Sequence, residues 1–115
     1  MPSPSAEVLA AHQSALPDDD RVELKTMFGA PCAFVNRQMV FAIFEETLIA
    51  RVGPERVRVL VEEPGITHFS PSPERTWDDC VQLDKSVAPA TCAALAAEGL
   101  EWAAALPKRV KWSKK

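Results

Sequence analysis

The chain has 115 residues, 47% hydrophobic and 25% charged, with a net charge of −3 at pH 7. That length suits one domain burying roughly two thirds of its unfolded surface, a core that needs neither metal nor disulfide support. No run of about 18 apolar residues occurs, and MPSPSAEVLAAHQ lacks a basic flank and an apolar h-region, so we expect no membrane span, no signal peptide and a cytoplasmic location.

The charge is unevenly placed. Residues 107–115, PKRVKWSKK, hold five basic residues and no acid, which leaves residues 1–106 with 8 of the 13 basic residues against all 16 acidic ones, a net −8. We read 1–106 as a single domain and 107–115 as a basic tail, whose Lys108, Arg109, Lys111 and Trp112 are the candidates for nucleic-acid contact. The acidic body argues against a broad DNA-binding face.

In chain order, a helix is expected over about residues 4–15, capped by Ser3 with Pro4 in its first turn. Its stripe is Val8, Leu9, His12, Ala15 and Leu16. RVELKTM (21–27) alternates, with Val22 and Leu24 on one face and Glu23 and Lys25 on a wet one, and reads as a strand. In TMFGAPCAFVNRQMVFAIF (26–44), Asn36–Arg37 reads as a two-residue hairpin turn, setting Phe34 opposite Met39 and Cys32 opposite Phe41. Glu45–Glu46 reads as the next turn, setting Ile43 opposite Leu48 and Phe41 opposite Ala50. These registers sort Cys32, Phe34, Met39, Phe41, Ile43, Leu48, Ala50 and Val52 onto one wholly apolar face. Ala33, Val35, Gln38, Val40, Ala42, Phe44, Thr47, Ile49 and Arg51 form a mixed face, too apolar in its centre for free exposure.

Pro54 opens a short helix that buries Val57, Leu60 and Val61 and ends at Pro64–Gly65. ITHF (66–69) is a brief strand, SPSPERT a Pro-rich loop and WDDCVQL (77–83) a further strand. The last helix, about 88–106, carries the stripe Ala88, Cys92, Leu95, Gly99, Trp102 and Leu106. Gly99 on that stripe predicts a close approach to the sheet. The order is α-β-β-β-β-α-β-β-α. We expect an α+β domain with a mainly antiparallel sheet of about six strands and helices on one face.

The chemistry-bearing residues are sparse. Cys32, Cys80 and Cys92 are odd in number, widely spaced and without a CxxC pair, so reduced buried thiols are expected. Cys32 behind Gly29–Ala30–Pro31 could be a nucleophile with His68 or His12 as base, but its place on the apolar face reads as core. His68, Cys80 and Cys92 lack metal-ligand spacing. Gly29 sits in no phosphate-loop motif and is a turn glycine. Asp18–Asp19–Asp20 and Asp78–Asp79 read as acidic surface, with Asp79 set apart by its register with Trp77 and Val81. Arg51 either reads an acidic group on a partner, or stays within the chain by snorkelling or making a local ion pair. No catalytic residue, cofactor or metal is assigned.

Three stretches carry a family resemblance. KTMFGAPCAFVNRQMVFAIF, TLIARVGPERVRVLVEEPGI, and the last helix with Trp102 and its ending AALPKR together resemble the TfoX N-terminal domain over residues 20 to 108. The resemblance implies a secretion-chaperone-like α+β fold and a link to the TfoX/Sxy competence regulators, here as a stand-alone N-terminal domain without their C-terminal one. Two places depart from the family: Asn36–Arg37 stands where Asn-Gly is expected, and SPSPERT where a Gly-Arg-Pro-Met-Lys-like run is common. The family brings no established catalytic residues.

The expected function is thus a non-enzymatic regulatory or adaptor module with a protein partner or self-association. Its expected contact surface is Val40, Ala42, Ile49 and Arg51 on the mixed face. The alternatives are a nucleic-acid-associated protein using its tail, and a small-molecule binder or enzyme with a pocket near Cys32, His68 and Asp79.

Overall fold

The computed structural model describes residues 5–27, 30–44, 46–72 and 74–105. The chain runs α1 (Ala6–Ala15), β1 (Glu23–Met27), β2 (Ala30–Val35), β3 (Gln38–Phe44), β4 (Thr47–Arg51), α2 (Pro54–Leu60), β5 (Ile66–Ser72), β6 (Arg75–Leu83) and α3 (Pro89–Ala104). The strands form one six-stranded sheet in the order β1-β2-β3-β4-β6-β5, with every neighbouring pair antiparallel. Class and element order are those expected from the sequence.

Ser5 starts α1. Its hydroxyl accepts from the Val8 N–H at 3.2 Å, satisfying one of the donors a helix start leaves free. The same residue donates through its N–H and its hydroxyl to the Glu46 carboxylate, at 3.0 and 2.6 Å, and so ties α1 to the β3–β4 connection. The expected cap, Ser3, and Pro4 lie outside the described residues.

Asn36 and Arg37 both take left-handed φ, 56° and 64°, and Val35 pairs with Gln38 across them. This is the backbone of a type I′ turn, whose twist matches the flanking strands. Phe34 pairs with Met39 as expected, but the register then shifts, and Phe41 pairs with Ala33 instead of Cys32. Val40 is the extra residue of a β-bulge. The bulge corrects the face assignment of everything on β2. Ala33 and Val35 join Phe41, Ile43, Leu48, Ala50 and Val52 beneath the helices, whereas Cys32, Phe34 and Met39 join Ala42, Ile49 and Phe44 on the opposite side.

All three helices pack over the first of these faces, contributing Val8, Ala15, Val57, Leu60, Leu95 and Leu100 to its core. α3 approaches the sheet through Gly99, where an added Cβ would lie 2.7 Å from the Arg51 carbonyl oxygen and 3.4 Å from that of Val40. The buried stripe of α3 is Cys92, Leu95, Ala96, Gly99, Leu100 and Ala103. Ala88 is the exposed N-cap, Trp102 lies at the margin, and Leu106 is outside the described residues.

Strands β5 and β6 extend well into the stretch expected as a Pro-rich loop. β5 is an edge of the sheet, a position in which a proline such as Pro71 is tolerated. Register shifts on both sides of Phe69 bend this hairpin.

Candidate interaction surface

The three thiols and one of the two imidazoles, that of His12, are buried in the structure. Cys32 is wholly buried, and burial pushes its thiol up to about 12. Cys80 and Cys92 are buried and their thiols pushed up for the same reason. His12, on the buried face of α1, stacks on Phe41 with its Nε2 2.9 Å from the Phe41 carbonyl oxygen. His68 stands exposed on β5 opposite Val81. Cys92 sits in the helix-side core and Cys80 in the other cluster. Among the described residues no three His, Cys, Asp or Glu side chains converge to hold a metal, and no helix is long and apolar enough to cross a membrane. Within the acidic run, Asp19 pairs with Arg21 at 2.8 Å, which holds its carboxyl down at about 2. Arg21 in turn reaches Glu101 on α3 at 2.9 Å.

Of the four residues expected at a contact surface, Val40, Ala42 and Ile49 are covered by the chain itself. Val40 lies at the bulge, beneath Gly99. Ala42 and Ile49 lie on the opposite side of the sheet under an aromatic layer of Phe34, Phe44, Phe69 and Trp77. Phe69 is edge-on to both Phe44 and Trp77, at 5.1 Å in each case. The bent β5–β6 hairpin supplies two of these rings, so the mixed face makes a second small core.

Arg51, the fourth, is engaged within the chain. Its Nε donates to Asp79 Oδ2 at 2.8 Å, another guanidinium N–H donates to Gln38 Oε1 at 3.0 Å, and its guanidinium lies 5.2 Å from the Trp102 ring. Gly53, at φ 97°, leaves the space that Trp102 fills: a Cβ there would lie 2.7 Å from the indole nitrogen. Asp79 also fixes the chain through its carbonyl, which accepts from the N–H groups of Val52 and Gly53. Of the two readings of Arg51, the local ion pair is the one observed.

Among the described residues, large apolar side chains are left exposed on β1 and α2. Leu24 is 60% exposed, although its alternation with Glu23 and Lys25 predicts the drier face of the strand. The helices lie chiefly over β2 to β6, and Leu24 on β1 is left exposed beside them. Val59 on α2 is similarly exposed, at 58%. Backbone direction along β1 follows from the hairpin beside it. Val35 and Gln38 flank a two-residue turn, so they are a hydrogen-bonded pair, and the N–H and C=O of Val35 aim at β3. By alternation Ala33 and Pro31 aim the same way, which suits a proline that has no donor for β1. Their partners on β1, Leu24 and Thr26, are therefore in non-hydrogen-bonded pairs. The N–H and C=O groups of Leu24 and Thr26 point outward, along an edge that no other strand covers among the described residues.

A groove of about 420 Å³ runs between α1 and the start of α3, floored by Val8, Leu48, Leu83 and Cys92, with Glu46 and Lys85 among its charged lining. Cys32, His68 and Asp79, the residues of the pocket expected from the sequence, do not line it. The tail residues Lys108, Arg109, Lys111 and Trp112 lie outside the described residues. No protein-family model, curated protein or solved structure matches the chain.

Proposed function

We propose that this chain is a non-enzymatic regulatory or adaptor module of the TfoX N-terminal kind, acting through contact with a protein at the open edge of β1. The observation that carries this reading is that edge: among the described residues no strand pairs with the outward backbone groups of Leu24 and Thr26, which lie beside an exposed leucine side chain. Strand addition at such an edge gives affinity through main-chain hydrogen bonds and selectivity through alternate side chains. The thiols and His12, held in structural roles, support the non-enzymatic part.

A Thr26→Pro variant tests the reading. It removes an outward N–H and leaves the β1–β2 ladder intact, since proline is tolerated on edge strands. Affinity capture from cells of the source organism should recover a partner with the wild type and lose it with T26P. A partner held equally by both would overturn the edge as the contact site.

A second reading, a small-molecule-binding domain, is favoured by the groove between α1 and α3. Ala11→Trp would fill it. An apolar fluorescent probe that binds wild type and A11W alike would end this reading.

A further inference from the structure

We propose that the open edge of β1 pairs with the same edge of a second copy, antiparallel and centred on Leu24, joining two sheets into one. The inference rests on the edge reading above and names its partner.

The register is chosen by charge. A two-fold axis at Leu24 sets Leu24 opposite Leu24 of the second copy, Glu23 opposite its Lys25, and Val22 opposite its Thr26. Leu24 directs both its N–H and its C=O outward, so the central pair exchanges two hydrogen bonds. The Glu23 and Lys25 pairs flanking it are non-hydrogen-bonded pairs, where facing side chains come closest. Opposite charges thus meet twice, once on each side of the axis. Moving the axis to Lys25 would set lysine against lysine and Glu23 against Met27, which loses both ion pairs and adds a repulsion.

The side chains suit this arrangement. Glu23 and Lys25 share the face of Phe34, and the Lys25 Nζ already sits 5.6 Å from the Phe34 ring centre, held over that face. Leu24 lies on the other face, where two copies would cover each other's exposed leucines. The opposite edge of the sheet differs. β5 carries Pro71 and two register shifts, features that blunt an edge against pairing. β1 carries neither.

The test is sedimentation equilibrium of the full chain from micromolar to millimolar concentration, on wild type, Lys25→Glu and the double variant Glu23→Lys with Lys25→Glu. Wild type should show a monomer–dimer equilibrium. Lys25→Glu sets like charges opposite at both flanking pairs and should weaken the dimer about tenfold or more. The double variant reverses each pair and should restore the dimer to near wild-type strength. Far-ultraviolet circular dichroism reports whether each variant is folded. A wild type that stays monomeric, or a dimer that tolerates Lys25→Glu, would overturn the self-pairing. A monomeric wild type whose partner capture is still lost with T26P would remove the self-pairing and leave the edge reading standing.

Discussion

His12 and Phe41 are joined twice: their rings stack at 4.9 Å, and the imidazole Nε2 lies 2.9 Å from the Phe41 carbonyl oxygen. Phe41 follows the bulge residue Val40, so the contact ties α1 to the point where the β2–β3 register shifts. Burial lowers the His12 pKa from its ordinary 6.5, and the hydrogen bond to Phe41 opposes this only in part. The unfolded chain then binds a proton that the folded chain refuses. Stability is therefore full above pH 6.5 and falls as pH drops from 6.5 toward the folded-state value, by at most about 1.4 kcal/mol per pH unit. Chemical denaturation between pH 7.5 and 5 should show the fall. His12→Gln, which keeps a donor for Phe41 but does not titrate, should flatten the slope across that window.

The Asn36–Arg37 turn predicts a stabilising substitution. Arg37 holds φ 64°, a conformation costing an L-residue roughly 1 kcal/mol or more and glycine little. Glycine loses part of that gain through the greater freedom of the unfolded chain. Arg37→Gly should raise stability by about 0.5 kcal/mol and Arg37→Val should lower it by more, as read by urea midpoints at constant m.

Gly99→Ala separates helix propensity from packing. Propensity alone predicts a gain of about 1 kcal/mol. The added Cβ would meet the Arg51 carbonyl oxygen at 2.7 Å, a backbone atom with no freedom to withdraw. We expect a net loss of about 2 kcal/mol or more, visible as a lower thermal midpoint.

The three thiols should be silent in the folded chain. Cys32, Cys80 and Cys92 are all buried with raised pKa values, so labelling by a disulfide reagent should proceed only as fast as the chain opens. Immediate labelling of one thiol under native conditions would show that its environment is not the one described.

Much of the architecture is legible in residue order. Pro54 and Pro89 sit in the first turns of α2 and α3, Asn36 favours the left-handed turn, and Gly99 on an apolar stripe foretells the close helix approach. The face assignment of β2 is not legible, because MVFAIF is apolar throughout and hides the extra residue at Val40. One inserted residue inverts every side chain beyond it. That inversion takes Cys32 off the helix-covered face, yet Cys32 stays buried because the aromatic layer gives the second face a core of its own. The length of β5 is hidden by Pro71, which reads as loop until its edge position is known. Arg51 and Asp79 could each be picked out by alternation, but their pairing needs the β4–β6 adjacency, a non-local fact. The open edge of β1 is equally non-local, since Leu24 alternates as a covered residue would.

Amide hydrogen exchange along β1, measured residue by residue at low and high protein concentration, tests the central claim most directly. In dilute solution the amides of Glu23, Lys25 and Met27, which face β2, should exchange slowly, and those of Leu24 and Thr26 should exchange fast. At high concentration Leu24 and Thr26 should become protected as the second copy pairs with them. Leu24 and Thr26 amides that exchange equally fast at both concentrations, or that are already protected in the monomer, would contradict the account.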